Sequence, residues 1–342
     1  MYGFVFDPAS SDLHDAIGAV FITEGRVEGK RRFRKGHRIA EPDLPDLARV
    51  EHRLNLVRLE PGDVHEDDAG LAIAQAVGGR GIETRRPIQS RVNLMAASKG
   101  LLRVDHESIV ALNRLPGVSV FTLLDGIAVV PGKNVAGAKI APVTIPQLVL
   151  NQALAIAADR PVVEIKPFTP KQVAVISTEG LEEAVRDRFR TAVEKKIGWY
   201  GSVVTRFIDL PDDPAVVAAA ISDAISDGAD LILTGGGNSL DPLDPTLVAL
   251  PQVGAEMIKF GAPAHPGSMF WFAQAGDVPI FNLASCSLYS RSTVADLVLP
   301  WVMADERVGI DDLAEIGFGG LLDRDAAFRF PPYDSDEVRD EG

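Results

Sequence analysis

The chain has 342 residues, 46% hydrophobic and 24% charged, which fits two or three folded domains and excludes a mainly disordered, collagen-like or disulfide-built protein. Lys plus Arg number 34 against 48 Asp plus Glu, a net charge of −14, so nucleic acid and anionic membrane are not expected as partners. The single cysteine, Cys286, excludes an intrachain disulfide and a cysteine zinc cage.

The N-terminus, Met1–Ser11, has no Lys or Arg and carries Asp7, unlike a secretory leader. The most apolar stretch, Val143–Ala158, is interrupted by Pro146, Gln147, Asn151 and Gln152 and is too short to span a bilayer. A cytoplasmic protein is therefore expected. Residues 1–60 read as a β-rich segment. Within it Lys30, Arg31, Arg32, Arg34 and Lys35 lie between Gly25 and Gly36, a pattern of a solvated basic hairpin. Residues 61–168 read as an elongated α+β region. Short helices are expected over Asp67–Val77 and Asp105–Leu112, and strands over Val118–Leu123, Ile127–Val130 and Val135–Ile140. His65, Glu66, Asp67 and Asp68 read as acids favouring a helix start rather than a metal group, because adjacent residues do not share a face. The run Ala153–Pro170, with Pro161, Pro167 and Pro170, reads as a connector.

From Val173 strands and helices alternate regularly. Val173–Ser177, Val203–Ile208 and Asp230–Thr234 read as strands. Leu181, Val185, Phe189, Val193 and Ile197 mark one face of a helix, and Asp213 with Pro214 starts another. Pro279–Leu283 is a later strand and Ser292–Met303 a final helix. This order implies an α/β domain over 169–310 with a mostly parallel, three-layer sheet. Residues 311–342 read as an acidic tail.

Ligands of open α/β sheets bind beyond the carboxyl ends of the strands. Four segments occupy that edge: 178–180, Asp209–Asp213, Thr234–Thr246 and Ala284–Ser287. In the richest, Gly235, Gly236 and Gly237 leave room for backbone N–H groups to close on a phosphate, with Ser239 beside them. Asp241 and Asp244 come next as carboxylates suited to Mg²⁺, which bridges like charges. The competing reading makes Asp244 a helix cap. Neither G-x-x-x-x-G-K-[ST] nor G-x-G-x-x-G spacing is present.

The strand Leu231–Thr234 running into Gly235–Gly237, then Asp241, Asp244 and Thr246, resembles the molybdopterin-binding domain. That domain occurs in gephyrin-type molybdopterin molybdenumtransferases, molybdopterin adenylyltransferases and competence-damage-type proteins. Val173–Thr178 resembles the start of the same domain. Lys35-Gly36-His37, Leu59–Ala69, Asn93-Leu94, Gly100–Asp105 and Val135–Pro142 are similar to the upstream region of bacterial stand-alone molybdopterin-binding proteins. The resemblance covers about residues 15–305. Leu283–Ser287 stands where the transferases carry L-P-G-N-P, and their C-terminal β domain has no counterpart after Val308.

The resemblance implies a ligand, molybdopterin or its adenylylated form, held with Mg²⁺. Asp244 and Asp241 would hold the metal and orient the reacting group. Thr178, Thr234, Gly235, Gly236, Gly237, Ser239, Ser268, Ser285 and Ser287 would contact the ligand. His265 or Lys259 would be cationic partners in or beside the loop Gly261–Ser268, which resembles the P-G-K-P loop of the transferases, whereas Cys286 reads as a small buried thiol. The family also implies a homodimer or homotrimer. The resemblance therefore points to a molybdopterin-binding protein of molybdenum cofactor biosynthesis, with a molybdenumtransferase-like reaction. The alternatives are a non-catalytic carrier serving a molybdoenzyme acceptor, and a competence-damage-type nucleotide pyrophosphatase.

Overall fold

The computed structural model describes residues 1–88, 90–141, 143–178, 180, 182–235, 241–283 and 292–335. Two compact units emerge. The first comprises Met1–Ser98, Leu102–Asp125 and Pro131–Ile165; the second comprises Lys99–Leu101, Gly126–Val130 and the chain from Lys166 onward.

The first unit opens with β1 (Tyr2–Phe6), β2 (Val20–Phe21), β3 (Gly25–Val27), β4 (Lys30–Phe33), α1 (Leu44–Leu47) and β5 (Leu54–Arg58). Strands β1 and β2 flank β5, and Phe6, Phe21, Leu47, Leu54 and Leu56 form a core beneath them. The basic stretch is the β3–β4 hairpin, as expected. Arg31 reaches Glu24 at 2.9 Å and Arg32 pairs with Asp46, so its charge is partly answered on the spot.

The chain continues through β6 (Asp63–His65), α2 (Glu66–Val77), β7 (Ile82–Thr84), β8 (Arg91–Ala96), β9 (Gly100–Val104), α3 (His106–Asn113), β10 (Val118–Thr122), β11 (Ala128–Val129), β12 (Asn134–Ile140), β13 (Thr144–Pro146), α4 (Gln147–Ala158) and β14 (Val163–Pro167). An antiparallel sheet, β10-β12-β8-β7, carries α2 on one face. The expected connector 153–170 is instead the second half of α4 and then β14. Its prolines lie outside or at the end of these elements, where a missing N–H costs little.

His65 is structural. Its Nδ1 accepts the Asp67 N–H at 3.2 Å, which leaves Nε2–H to donate to the Gly36 carbonyl at 2.9 Å, so neither nitrogen is open to a metal. Glu66 is buried, and its Oε2 has no hydrogen-bond partner among the described residues. Burial holds its carboxyl above the usual glutamate range. A carboxyl raised in the folded state favours folding at low pH and loses that contribution as pH rises through its folded pKa. Glu66→Gln, fixed in a neutral form, is therefore expected to exceed wild type in stability at pH 8, with the gap closing toward pH 4. Urea melts at the two pH values check this; a gap that widens on acidification would contradict it.

The second unit contains β15 (Gln172–Ser177), α5 (Glu183–Trp199), β16 (Val203–Asp209), α6 (Pro214–Ser226), β17 (Leu231–Gly235), α7 (Pro245–Ala249), β18 (Glu256–Phe260), β19 (Trp271–Ala275), β20 (Val278–Leu283), α8 (Val294–Met303) and α9 (Ile310–Glu315). Its sheet runs β16-β15-β17-β20-β19-β18. The first four strands are parallel, and β19 and β18 close the sheet as antiparallel strands. Side-chain alternation sorts the faces: Val173, Val175 and Phe281 lie in one core with α5 and α8, and Ala174, Ile176 and Ile280 in another with α6. The three-layer α/β reading holds, with a mixed rather than wholly parallel sheet.

The expected acidic tail is corrected up to residue 335. Leu313, Ile316, Leu322 and Ala326 join the same core as Phe281 and Val298. The acids between them stay on the surface, so composition reads as a tail while the apolar spacing builds a packed segment. Residues 336–342 lie outside the described residues.

Candidate functional site

Register brings four residues into one row at the carboxyl edge of the parallel strands. Asp209 of β16 stands opposite Ser177 of β15, Ser177 opposite Gly235 of β17, and Gly235 opposite Leu283 of β20. At ~4.8 Å per strand the row is about 14 Å wide. The Thr178 N–H donates to the Gly235 carbonyl at 3.2 Å and the Leu210 N–H to the Ser177 carbonyl at 2.8 Å, so the strand ends are tied together.

Three side-chain oxygens at this edge are buried without a hydrogen-bond partner among the described residues: Ser177 Oγ, Thr178 Oγ1 and Asp209 Oδ1. The other Asp209 oxygen accepts from Arg186 Nη1 at 3.0 Å. An unmet buried polar group costs about 1–3 kcal/mol, so three at one edge call for a polar occupant, ligand or water. Ser177 and Asp209 escaped the sequence reading as individual residues. Ser177 lies within the resembled strand and Asp209 opens one of the edge segments, and the strand register shows that they share a level.

Thr178, Thr234 and Gly235 lie at this edge, as expected, and all three are buried. Gly235 has a packing role too. A Cβ there would meet Phe189 Cε1 at 2.4 Å, so the missing side chain admits the α5 phenyl ring. Gly236, Gly237, Ser239, Ser285, Ser287 and Cys286 lie outside the described residues.

Asp244 is the N-cap of α7. It is buried, and its Oδ1 accepts from the N–H groups of Thr246 at 2.9 Å and Leu247 at 3.4 Å. Exposed Asp241 uses Oδ1 for the Leu243 N–H at 2.9 Å, and its carbonyl accepts the Asp244 N–H at 3.0 Å. Each carboxylate thus fixes the turn with one oxygen and leaves Oδ2 for another partner. Asp244 is thus the helix cap of the competing reading, and its Oδ2 takes no part in the cap. Asp213 caps α6 in the same manner.

Ser268 is exposed in the loop before β19. The loop is held against the start of α8, where a Cβ on Gly267 would lie 2.7 Å from Val294 Cγ2. Asn282 anchors the start of β19: its Oδ1 accepts the Trp271 N–H at 2.8 Å and its Nδ2 donates to the Met269 carbonyl at 3.1 Å. Lys259 is on the edge strand β18, with β19 and β20 between it and β17, so the sheet does not bring it to the row.

The start of α8 rests on a buried polar cluster. Asp296 accepts from the Thr293 N–H at 2.7 Å, from Lys196 Nζ at 2.8 and 3.0 Å, and from the Tyr333 hydroxyl at 2.9 Å. Burial raises the Tyr333 and Tyr200 hydroxyls well above the ordinary tyrosine range, which keeps both protonated. No helix among the described residues is long and apolar enough to cross a membrane.

Residues 172–304 match a family model described as "Probable molybdopterin binding domain". No curated protein matches the chain. Among solved structures, the molybdopterin biosynthesis MoeA protein from Pyrococcus horikosii is 17% identical, with 71% of this chain and 74% of that one covered at a TM-score of 0.32. The molybdopterin biosynthesis Mog protein from Mycobacterium ulcerans is 19% identical over 43% of this chain and 100% of its own, with a TM-score of 0.30. The protein CinA from Thermoplasma acidophilum is 12% identical over 39% and 98%, with a TM-score of 0.29. Over residues 172–304 the chain thus matches the model of the molybdopterin-binding domain family.

Proposed function

We propose that this chain binds molybdopterin, or its adenylylated form, at the carboxyl edge of β15 and β17 and serves molybdenum cofactor biosynthesis through a molybdenumtransferase-like step. The observation that carries the reading is the row of buried, unpartnered oxygens of Ser177, Thr178 and Asp209 in the matched domain. Hydroxyls there would donate to a phosphate, and Gly235 to Gly237 would let backbone N–H groups approach it. Ser239, Ser268, Ser285 and Ser287 complete the proposed contacts.

Mg²⁺ fits the donor set. No group of three or more His, Cys, Asp or Glu that could hold a metal occurs among the described residues. Mg²⁺ is ordinarily held by one or two carboxylates plus substrate phosphates and water, and Asp241 and Asp244 each retain one oxygen for that purpose. The ion would supply charge neutralisation at the transferring group. The chain's own residues orient the ligand and fix the turn. Leu283–Ser287 in place of L-P-G-N-P favours a second reading, a carrier that hands the cofactor to a molybdoenzyme; the pyrophosphatase reading is disfavoured because Pro242 and Leu243 separate the two aspartates. A homodimer or homotrimer belongs to the same proposal.

Extraction of the purified protein, oxidation, and fluorescence with mass analysis test the reading. A pterin phosphate retained in near-equal amount to protein is expected, and incubation with molybdate then separates transfer from carriage. A preparation that neither retains nor rebinds molybdopterin sinks the proposal.

A further inference from the structure

The three-stranded sheet of the first unit ends on β1, and the backbone register shows which groups face outward there. The Ile22 N–H donates to the Asn55 carbonyl at 3.3 Å, so Asn55 and Val57 of β5 turn their backbone groups toward β2. Directions alternate along an antiparallel strand, so Leu54, Leu56 and Arg58 turn toward β1 and bond Phe6, Phe4 and Tyr2. Gly3 and Val5 therefore point their N–H and C=O groups away from β5. None of these four groups has a hydrogen-bond partner among the described residues.

Edge strands are ordinarily blunted by a bulge, a charge or a covering group. Strand β16 carries Arg206 and Asp209, β18 carries Glu256 and Lys259, and each shows a register shift against its neighbour. Strand β10 is closed by Asn113, whose side-chain amide donates to the Val120 carbonyl at 2.8 Å and accepts from its N–H at 2.7 Å. Strand β1 has none of these devices. Tyr2-Gly3-Phe4-Val5-Phe6 is uncharged, and its register with β5 is unbroken. Tyr2 and Val5 are 62% and 64% exposed. The Tyr2 and Phe4 rings stack with centroids 6.1 Å apart, and Phe4 is only half-buried against the core of Phe6 and Leu56.

The strand also complements itself. An antiparallel copy centred on Phe4 sets Gly3 opposite the partner's Val5 and Val5 opposite the partner's Gly3, so every outward backbone group is bonded. Phe4 then meets the partner's Phe4, and Tyr2 meets the partner's Phe6, cross-strand aromatic pairs that favour this register. One place further out, Met1, whose ammonium sits 2.6 Å from Glu60, falls level with the partner's Asp7, so positive and negative ends face each other twice. We propose that β1 pairs with β1 of a second copy of this chain about a two-fold axis at Phe4, joining two three-stranded sheets into one of six. Such a pairing closes at two chains, so of the dimer and trimer named above it selects the dimer. The edge lies outside residues 172–304 and does not rest on the pterin reading, so either can fail without the other.

Sedimentation of the full chain over a range of concentrations tests it, and a dimer is expected. Val5→Pro removes an outward N–H and no bond of the β1–β5 ladder, so the fold is kept. The two-fold makes that loss count twice, and the dimer dissociation constant should rise about tenfold or more. Disulfide trapping tests the register, with Cys286→Ser in every chain. Val5 is exposed, and a Cβ on Gly3 meets nothing within 4 Å, so both positions accept cysteine. Mixed under a mild oxidant, Gly3→Cys and Val5→Cys chains should cross-link to each other, because a hydrogen-bonded pair holds its Cα atoms about 5.5 Å apart. Either chain alone should cross-link far less, since like positions are then out of disulfide reach. A monomer at every concentration, a trimer, a dimer indifferent to Val5→Pro, or cross-linking no better in the mixture than in the single variants would each overturn the proposal.

Discussion

Asp296→Ala is expected to remove about 3–5 kcal/mol of folding stability, the range for breaking one side of a buried ion pair. Asp296 is 2% exposed and Lys196 12%, so water cannot take over the lost contacts. One carboxylate holds four groups: the Thr293 N–H and hydroxyl at the cap of α8, the Lys196 ammonium of α5, and the Tyr333 hydroxyl of the C-terminal segment. Its removal withdraws the charge facing a buried ammonium and takes away the acceptor of the Thr293 N–H at the helix start. Tyr333→Phe removes one hydroxyl from the same cluster and should cost about 1 kcal/mol. Urea unfolding of both variants at pH 7 measures the two values. An Asp296→Ala loss below about 1 kcal/mol would show that the cluster is no cornerstone of this unit.

Local pattern decided how much of this was legible. The helix from 183 to 199 announces itself by apolar residues at Val185, Phe189, Val193 and Ile197, and α6 by Asp213-Pro214 at its start. Both signals depend on neighbours within one turn, so they survive without knowledge of the rest of the chain. The C-terminal segment misled for the opposite reason. Its acids dominate any window, yet Leu313, Ile316, Leu322 and Ala326 acquire meaning only against a core supplied by β20 and α8. The prolines of 161–170 misled similarly, since a proline at the end of an element looks the same as one in a loop. At the candidate edge, Thr178, Thr234 and Gly235 stand out in the sequence because they resemble a motif. That Ser177 and Asp209 face each other is visible only in the register, which pairs residues 32 apart.

Asp244→Asn should separate the cap from the metal role proposed for this residue. Asparagine caps a helix about as well as aspartate, so Oδ1 can still accept from Thr246 and Leu247, and thermal stability should change little. The charge on the other oxygen is lost. If that oxygen holds Mg²⁺ against a pterin phosphate, affinity in Mg²⁺ should fall by about tenfold or more, and the Mg²⁺ dependence should largely disappear. Asp241→Asn should have a smaller effect, because Asp241 is exposed and water screens its charge. Titration of molybdopterin into wild type and both variants, with and without Mg²⁺, distinguishes the outcomes. Equal affinity and equal Mg²⁺ dependence in wild type and Asp244→Asn would leave capping as its whole role. A fall in affinity that is the same with and without Mg²⁺ would instead place the ligand on the carboxylate directly, which a dianionic phosphate makes unfavourable unless another group of the row intervenes.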